Sequence, residues 1–434
     1  MTASFDLLEK MEREQDVIPY LGKDRITNLP EGILLHILSF LPTKDSIRTS
    51  LVSRRWRYLW KSVPSFNLSV LVDGNRHNRT PQEIVDFVDQ ALMLRDGSDL
   101  KNFSFSYYDS GDDLDSDDLI VHHLKTWIEV AINLKTEVLD LFLYPAESIF
   151  ELPSSKTLEI LRLCLDCAFI LQLPQGFGRL RNMELISVGF LPDGIPLDFF
   201  SNCPVLETLL LSDIRFNGMS TLNISAPSLR ILTVDVFNLS NCEIKVSAPC
   251  LVSFKYSFSL VPKTFIFSRC LSLADAEFYC CKDDGDDASD LRLSKLIRGI
   301  SCVKKLTLRC SFFQLLRLAK DVHTCLETPF ANLKYLKIWL DRCVCEVYVR
   351  SVIYLLQSCP NLEKLVIKFQ SSISHDRTQC EPLEYPPRFR MGHLTEVEII
   401  YFNLKDRETK WEKLLRYHSP VLKQMIIKPW YLAY

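Results

Sequence analysis

The hydrophobic pattern of the chain changes near residue 66. Between residues 24 and 66, apolar side chains recur at helical spacing in three short runs. Beyond residue 66, short apolar runs alternate with turns and irregular pieces, which is typical of strands. Three helices in about 43 residues enclose only a small core. We therefore expect this first segment to need the surface of a partner.

Prolines and potential caps set the bounds of the three predicted helices. Pro30 suits the first turn of the first helix because its φ is fixed, and Pro42 ends that helix. Thr43 is the expected N-cap of the second helix, with Asp45 in its first turn, and Ser53 is that of the third. The apolar residues of the three runs are Ile33, Leu34, Ile37, Leu38 and Leu41, then Ile47, Leu51 and Val52, then Trp56, Leu59, Trp60 and Val63.

Beyond residue 66 the strand-like runs return at a regular interval. Four leucines that open such runs are separated by 23, 22 and 22 residues: Leu206, Leu229, Leu251 and Leu273. This is the period of leucine-rich repeats, and it predicts a solenoid in which each unit buries its leucines against the next. The clearest runs are Glu137–Tyr144, Leu158–Leu165, Met183–Phe190, Leu206–Leu211, Leu229–Val236, Leu251–Tyr256, Val303–Leu308, Leu333–Leu340 and Leu362–Phe369.

A short phrase built on proline precedes several of these runs. It places a small or polar residue before Pro, then any residue, then Leu, and it occurs around Pro204, Pro227, Pro249, Pro360 and Pro420. Proline has no N–H and holds its predecessor in an extended conformation. The phrase therefore predicts the end of each crossover just before its strand.

Composition and charge narrow the function classes. The chain has 434 residues, of which 47% are hydrophobic and 24% charged, and its net charge of -3 argues against a nucleic-acid-binding body. Met1–Gln15 lacks an apolar signal core, and no run of about 18 uncharged apolar residues predicts a membrane span. The 15 cysteines are therefore expected to be reduced thiols, in the cytosol or the nucleus.

Several residues that could bind metals or act in catalysis are better interpreted as ordinary structural residues. Cys164-x-x-Cys167 lacks a second ligand pair at finger spacing, so a core role is favoured over zinc, as for Cys280-Cys281 and Cys343-x-Cys345. No nucleophile motif accompanies His122-His123, which we interpret as helix residues. The acidic runs Asp109–Asp118 and Asp283–Asp290 lack the order of a calcium loop and are interpreted as solvated loops. We expect neither a metal nor a cofactor.

Arg54-Arg55 and Lys61 are basic but sit on the third predicted helix, so an exposed helix face is favoured over nucleic-acid binding. A composition shift at Ser371–Pro387 marks a boundary. The unit after it is predicted to contain a strand, a helix and a strand, and to cap the end of the repeats: Leu394–Phe402, Arg407–Tyr417 and Val421–Ile427.

The segment Asp24–Trp60, DRITNLPEGILLHILSFLPTKDSIRTSLVSRRWRYLW, resembles an F-box. The resemblance rests on Leu29-Pro30, Leu41-Pro42, Arg55-Trp56 and Leu59-Trp60, together with the spacing between them. The order of segments is similar to that of plant F-box/LRR proteins with a C-terminal FBD module. That part of the resemblance rests on Leu394-Thr-Glu-Val-Glu-Ile, Leu414-Leu415 and Ser419-Pro-Val-Leu-Lys-Gln-Met-Ile-Ile.

The resemblance implies an α/β fold: a small three-helix F-box, a leucine-rich-repeat solenoid and a C-terminal repeat-like αβ cap. The expected divisions are a flexible tail at 1–23, the F-box at 24–66, the repeats at 67–380 and the FBD-like module at 381–434. In this family the F-box packs against a Skp-type adaptor that is bound to a cullin. The residues carried over as adaptor-binding, some of which must form the F-box's own core, are Leu29, Pro30, Ile33, Leu34, Ile37, Leu41, Pro42, Trp56 and Trp60.

The implied function is that of a non-catalytic substrate-recognition subunit of an SCF-type ubiquitin ligase, whose repeats bind a target protein. Two alternatives stay open. One is an F-box scaffold that acts outside a ligase. The other is an enzyme within the repeats, for which the sequence shows no acid–base or nucleophile constellation. Recognition surfaces on repeat proteins leave no motif, so the target and any small co-ligand stay open as well.

Overall fold

The computed structural model describes residues 26, 28–72, 80–109, 117–144, 149–165, 170–191, 194–216, 218–236, 242–258, 264–268, 270–280, 295–309, 330–341, 346–370, 390–401 and 410–429. The expected tail at 1–23, the acidic run Asp283–Asp290 and the boundary at Ser371–Pro387 lie outside these residues. So do Cys167, Cys281, Cys343 and Cys345.

The N-terminal segment opens with two α-helices that follow prolines. Helix α1 (Glu31–Ser39) begins directly after Pro30, whose carbonyl accepts the first helical hydrogen bonds. Helix α2 (Thr43–Arg48) follows Pro42, so the proline occupies the cap position expected for Thr43. The Thr43 hydroxyl instead accepts a hydrogen bond of 2.8 Å from the backbone N–H of Asn67.

The third predicted helix takes a tighter form. Two 3₁₀ turns (Thr49–Leu51 and Leu59–Ser62) flank a run of turns, and hydrogen bonds of the i to i+3 type hold them. The Ser53 hydroxyl caps nothing: it is buried, and no described atom bonds to it. A 3₁₀ helix aligns residues three apart. This geometry brings Trp56 in line with Leu59, and both side chains are buried.

The first of two compact units comprises residues up to Leu206 together with Ile214–Asn217. Its main sheet is wholly parallel, with neighbouring strands in the order β1, β2, β3, β5, β7. Those strands are β1 (Ser65–Val72), β2 (Asn102–Asp109), β3 (Val138–Tyr144), β5 (Ile160–Cys164) and β7 (Asn182–Ile186). A second, parallel sheet is formed by the short strands β4 (Ile149–Glu151), β6 (Ile170–Gln172), β8 (Gly189–Phe190) and β10 (Arg215–Phe216).

Two helices serve as the crossovers between the first three strands. Helix α3 (Pro81–Met93) is capped by Thr80, whose hydroxyl accepts a hydrogen bond from the N–H of Glu83. Helix α4 (Asp117–Asn133) packs beside it, and Trp127 Nε1 donates to Asp89 across 2.6 Å. Later crossovers are shorter because the second small sheet replaces the helices.

The second unit comprises Glu207–Asp213 and Gly218–Tyr434. Its main parallel sheet contains β9 (Thr208–Ser212), β12 (Ile231–Val236), β14 (Ser253–Phe258), β16 (Asp275–Cys280), β17 (Lys305–Leu308), β18 (Tyr335–Asp341), β19 (Lys364–Gln370), β20 (Glu396–Tyr401) and β21 (Gln424–Pro429). A second sheet holds β11 (Thr221–Ser225), β13 (Glu243–Ser247) and β15 (Thr264–Ser268). Two of its crossovers contain the helices α5 (Glu346–Gln357) and α6 (Lys410–His418).

The repeat prediction is confirmed, and the proline phrase has a structural cause. In each phrase the leucine N–H donates to the carbonyl of the residue three positions earlier, as Leu229 does to Ala226 and Leu251 to Ala248. This is a β-turn with proline in its second position, where a fixed φ is favoured. The turn drives the leucine inward, and Leu229 and Leu251 are both 0% exposed.

The strand, helix and strand predicted for the final unit are confirmed as elements, since β20, α6 and β21 overlap them. Among the described residues, every helix falls short of the length and apolar character that crossing a bilayer requires.

Candidate adaptor-binding surface

Helix α1 carries two parallel apolar stripes, one buried and one exposed. Leu34 and Leu38 are 0% exposed and pack in a cluster that includes Trp56, Leu59 and Val63. One position earlier on the helix, Ile33 and Ile37 are 47% and 38% exposed. Phe40, three residues after Ile37 and directly after the last residue of the helix, is 74% exposed. The two stripes lie side by side because residues three or four apart share a helix face.

Burial divides the nine residues that the resemblance brought forward. Leu34 and Trp56 lie inside the F-box's own core, and Trp60 is buried as well. Two residues, Leu29 and Leu41, are partly buried against that core. The remaining four are exposed: Pro30, Ile33, Ile37 and Pro42.

The exposed apolar surface extends beyond those nine. Leu51 and Val52 were expected to lie on one helix with Ile47, yet they are 44% and 69% exposed while Ile47 is buried. They are exposed because α2 ends at Arg48, and the 3₁₀ turn that follows rotates them away from Ile47. Tyr58, which sequence reasoning missed, is 62% exposed. Periodicity alone does carry a signal for Phe40, since residues 33, 37 and 40 form a helical stripe of their own.

Two basic side chains make contacts within the F-box beside this surface. Arg55 Nη2 donates to the Leu29 carbonyl across 2.6 Å, which fixes the Leu29-Pro30 step that starts α1. Lys61 lies over the Tyr58 and Trp60 rings, with its Nζ 5.4 Å and 5.9 Å from their centroids. Arg55 and Lys61 thus contact other residues of the F-box itself. Contiguous exposed apolar surface of this kind marks a protein-interaction site in soluble proteins.

Other candidate chemistry takes ordinary structural positions. Cys164 ends β5, where burial and then the nearby Asp140 charge raise the pKa of its thiol. A thiol held protonated is a poor metal ligand and nucleophile. His122 and His123 lie inside α4, and His123 Nδ1 is 3.4 Å from Asp89. Within the first acidic run, Asp109 ends β2 and accepts a hydrogen bond from Tyr107.

The fold and this surface define a class: a parallel-strand repeat protein whose N-terminal helical module exposes an apolar face. The F-box domain matches residues 26–68, and the LRR domain described as At1g61320/AtMIF1 matches residues 92–406. The chain belongs to the F-box/LRR-repeat protein family.

Similar proteins come from Arabidopsis thaliana. The F-box/LRR-repeat protein At4g14096 is 33% identical over 82% of this chain and 75% of its own length. The putative F-box/FBD/LRR-repeat protein At3g59240 is 31% identical over 80% of this chain and 69% of its own. The F-box/FBD/LRR-repeat protein At2g26030 is 27% identical over 93% and 92% respectively. Members with this domain order are generally non-catalytic substrate-recognition subunits of SCF complexes, in which F-box domains bind Skp-type adaptors.

Proposed function

We propose that this protein is the substrate-recognition subunit of an SCF-type ubiquitin ligase. Its F-box binds a Skp-type adaptor, and through it a cullin, while the repeats bind a target protein. The observation that carries this proposal is the exposed stripe of Ile33, Ile37 and Phe40 beside the buried stripe of α1. The F-box core covers one apolar stripe of this helix and leaves the other exposed, so a second polypeptide can bind there.

The proposed division of the chain follows the sequence: tail at 1–23, F-box at 24–66, repeats at 67–380 and FBD-like module at 381–434. Within the F-box, the adaptor contacts are assigned to the exposed residues Pro30, Ile33, Ile37 and Pro42, extended by Phe40. The partly buried Leu29 and Leu41 support them from beneath. The cytosol or the nucleus is the compartment that such a role requires.

Catalysis in such a ligase depends on proximity. The receptor forms and breaks no covalent bond, and it holds target lysines near the charged ubiquitin carrier. Tethering raises their effective concentration and makes transfer effectively intramolecular. This requires a stable adaptor interface and a stiff body. Parallel strands, each hydrogen-bonded to the next repeat, supply the stiffness within each unit.

The proposal is tested by placing charges on the exposed stripe. Ile33→Asp with Ile37→Asp should abolish co-purification of the Skp-type adaptor and the cullin, because each carboxylate would have to be buried against an apolar partner. The thermal midpoint of the variant should stay close to that of the wild type, since both side chains face solvent. Affinity purification with mass spectrometry and a melting curve give the two readouts.

Met93→Asp is the matched control, since Met93 is an apolar helix residue that is 81% exposed outside the F-box. It should leave adaptor binding unchanged. Undiminished binding by the Ile33/Ile37 variant would refute the assigned surface. Capture of adaptor without cullin by the wild type would favour a scaffold that acts outside a ligase.

A further inference from the structure

The main sheet of the first unit carries apolar side chains on its outer face, the face turned away from the core, near the carboxyl ends of its first three strands. The earlier outward positions of β1 and β2 are polar: Ser65, Asn67 and Ser69, and Asn102, Ser104 and Ser106. The next outward positions are Leu71 and Tyr108, which pair in the ladder. In β3 the last two are Phe142 and Tyr144. Outward positions of a strand whose other face is buried are normally polar, so this change marks a distinct surface.

These apolar side chains are neighbours on the sheet. Leu71, Tyr144 and Phe142 are 63%, 44% and 38% exposed. The row of Phe142 continues through two half-buried residues, Cys164 on β5 and Ile186 on β7. We call Leu71, Tyr108, Phe142, Tyr144 and Ile186 the Tyr144 patch. Contiguous exposed apolar surface on a soluble protein marks an interaction site.

The aromatic side chains of the patch are held in place before any partner binds. The Tyr108 and Tyr144 rings stack almost in parallel, with centroids 5.1 Å apart and an angle of 11° between their planes. Their strands pair directly at this position. An ordered ring loses little freedom on binding, and tyrosine is enriched among the residues that dominate binding energy in interfaces.

A row with excess negative charge borders the patch two residues earlier on β3, β5 and β7. Arg162 Nη1 lies 3.9 Å from Asp140 and its Nε lies 3.4 Å from Glu184, so one guanidinium faces two carboxylates. Among the described outward positions of these five strands, no other side chain is charged. Burial raises the pKa of Asp140, the Arg162 charge only partly offsets this, and the Glu184 charge adds to it. A further cation at this row would therefore be stabilised.

The size and charge of this surface decide which ligand fits. From Leu71 on β1 to Ile186 on β7 there are four strand spacings, which is ~19 Å. About six residues of extended polypeptide span that distance. A nucleic acid could stack its bases on the tyrosines, but its phosphates would be repelled by the acidic row. The arrangement thus favours a polypeptide with apolar and basic side chains.

We propose that the Tyr144 patch binds a short segment of a partner protein that combines apolar side chains with a lysine or an arginine. The apolar side chains contact Leu71, Phe142 and Tyr144, and the basic side chain contacts Asp140 and Glu184. This deepens the proposed function and rests on it in one respect, namely that the partner is the ligase target. The contact chemistry itself depends only on the sheet face of the first unit.

The test uses the full chain and a fluorescein-labelled peptide of about eight residues, a little longer than the patch. Leu and Phe alternate with Ser in this peptide, so the apolar side chains share one side of an extended chain, and one Lys stands near its middle. One control peptide replaces every Leu and Phe by Ser, and another replaces the Lys by Gln. Fluorescence anisotropy should show binding of the first peptide, weaker binding of the Gln peptide and no binding of the all-Ser peptide.

Substitutions in the chain test the two halves of the surface separately. Leu71→Ser with Tyr144→Ser should weaken binding roughly tenfold or more, because apolar contact area is lost. Ile231→Ser is the matched control: Ile231 is 42% exposed at an outward strand position of the second unit, and its change should leave the affinity within about twofold. Asp140→Asn should weaken binding of the Lys peptide about two- to fivefold and leave that of the Gln peptide unchanged, because only the Lys peptide brings a cation to the acidic row.

Equal losses in the Leu71/Tyr144 and Ile231 variants would overturn the proposal, because they would indicate non-specific apolar adhesion. So would binding of the all-Ser peptide, equal effects of Asp140→Asn on the Lys and Gln peptides, or tighter binding of single-stranded DNA of similar length. Melting curves check folding, and Leu71→Ser alone serves if the double variant is unstable. Adaptor capture, measured in parallel, separates the two proposals: peptide binding without adaptor capture refutes only the ligase role, and adaptor capture without peptide binding refutes only this site.

Discussion

At the scale of single residues, one step along a helix separates a structural role from an interaction role. Leu34 and Ile33 are neighbours of similar size, yet Leu34 is 0% exposed and Ile33 is 47% exposed. The difference arises because α1 covers the F-box core with one stripe only. Substitutions at the two positions should therefore have separable effects.

Leu34→Ala should lower the free energy of unfolding by about 2–5 kcal/mol, the usual cost of a cavity in a tight core. Ile33→Ala should cost less than about 1 kcal/mol, because its side chain already faces water. Urea unfolding followed by tryptophan fluorescence measures both, since Trp56 and Trp60 lie in the same core as Leu34 or beside it. Equal destabilisation by the two changes would contradict the division into core and surface stripes.

The sequence identifies this apolar helix and its spacing, but it leaves the division between the two stripes open. Ile33, Leu34, Ile37 and Leu38 all fit one wide helical face, and only the position of Trp56 and Leu59 decides which stripe is covered. The same holds for Lys368: its strand is predicted, whereas the Trp339 ring 4.3 Å from its Nζ is supplied by the strand that pairs with it. Such neighbours are set by tertiary pairing, which local pattern does not contain.

At the scale of elements, a 3₁₀ turn links the F-box to the first repeat. The Ser62 hydroxyl, in the turn Leu59–Ser62, donates to Asp96, and the Ser98 N–H donates to the same carboxylate across 3.0 Å. Burial raises the pKa of Asp96, but the bonds from Ser62 and Ser98 and the Arg95 charge outweigh it and lower the pKa to about 2 from 3.8. The ionised carboxylate is thus favoured in the folded chain.

Asp96→Asn should destabilise the protein in a pH-dependent way. Because the folded pKa lies below the unfolded one, the stabilisation is fully present above pH of about 4 and is lost as pH falls toward about 2. We expect the substitution to lower the free energy of unfolding by roughly 1 kcal/mol or less, since Asp96 is largely exposed to solvent. Urea midpoints at several pH values measure the difference between wild type and variant. A difference that stays constant down to pH of about 2 would contradict the hydrogen-bonded carboxylate.

The strands of the main sheets were predictable from the sequence, whereas the short strands of the second sheets were not. Strands that begin after a proline turn were found, because the turn and the buried leucine recur at a fixed interval, as at Leu229 and Leu251. The strands of the second sheet, such as Thr221–Ser225, are five residues long and lack that signal. The run after Ser53 has helical spacing but 3₁₀ geometry, because Trp56 and Leu59 also align at a period of three.

At the scale of the whole molecule, the F-box has a structural role beside its proposed interaction role. Among the described strands, β1 pairs only with β2, so its other edge offers free backbone donors. One of these, the Asn67 N–H, is taken by the Thr43 hydroxyl at 2.8 Å. Open edges of sheets promote edge-to-edge association, and covering them prevents it. The F-box therefore acts as the N-terminal cap of the parallel sheet in the first unit.

A fragment that starts at Pro64 keeps β1 and loses this cap, so it should self-associate where the full chain stays monomeric. Sedimentation at several concentrations measures association, and hydrogen exchange should show faster exchange of the β1 amides. Thr43→Val in the full chain is the matched point variant: it removes only the acceptor for Asn67, costs about 1–3 kcal/mol, and should speed exchange chiefly at that amide. If the fragment is monomeric and protects β1 as the full chain does, the F-box is dispensable to the sheet. Adaptor binding would then be the one role left for the F-box.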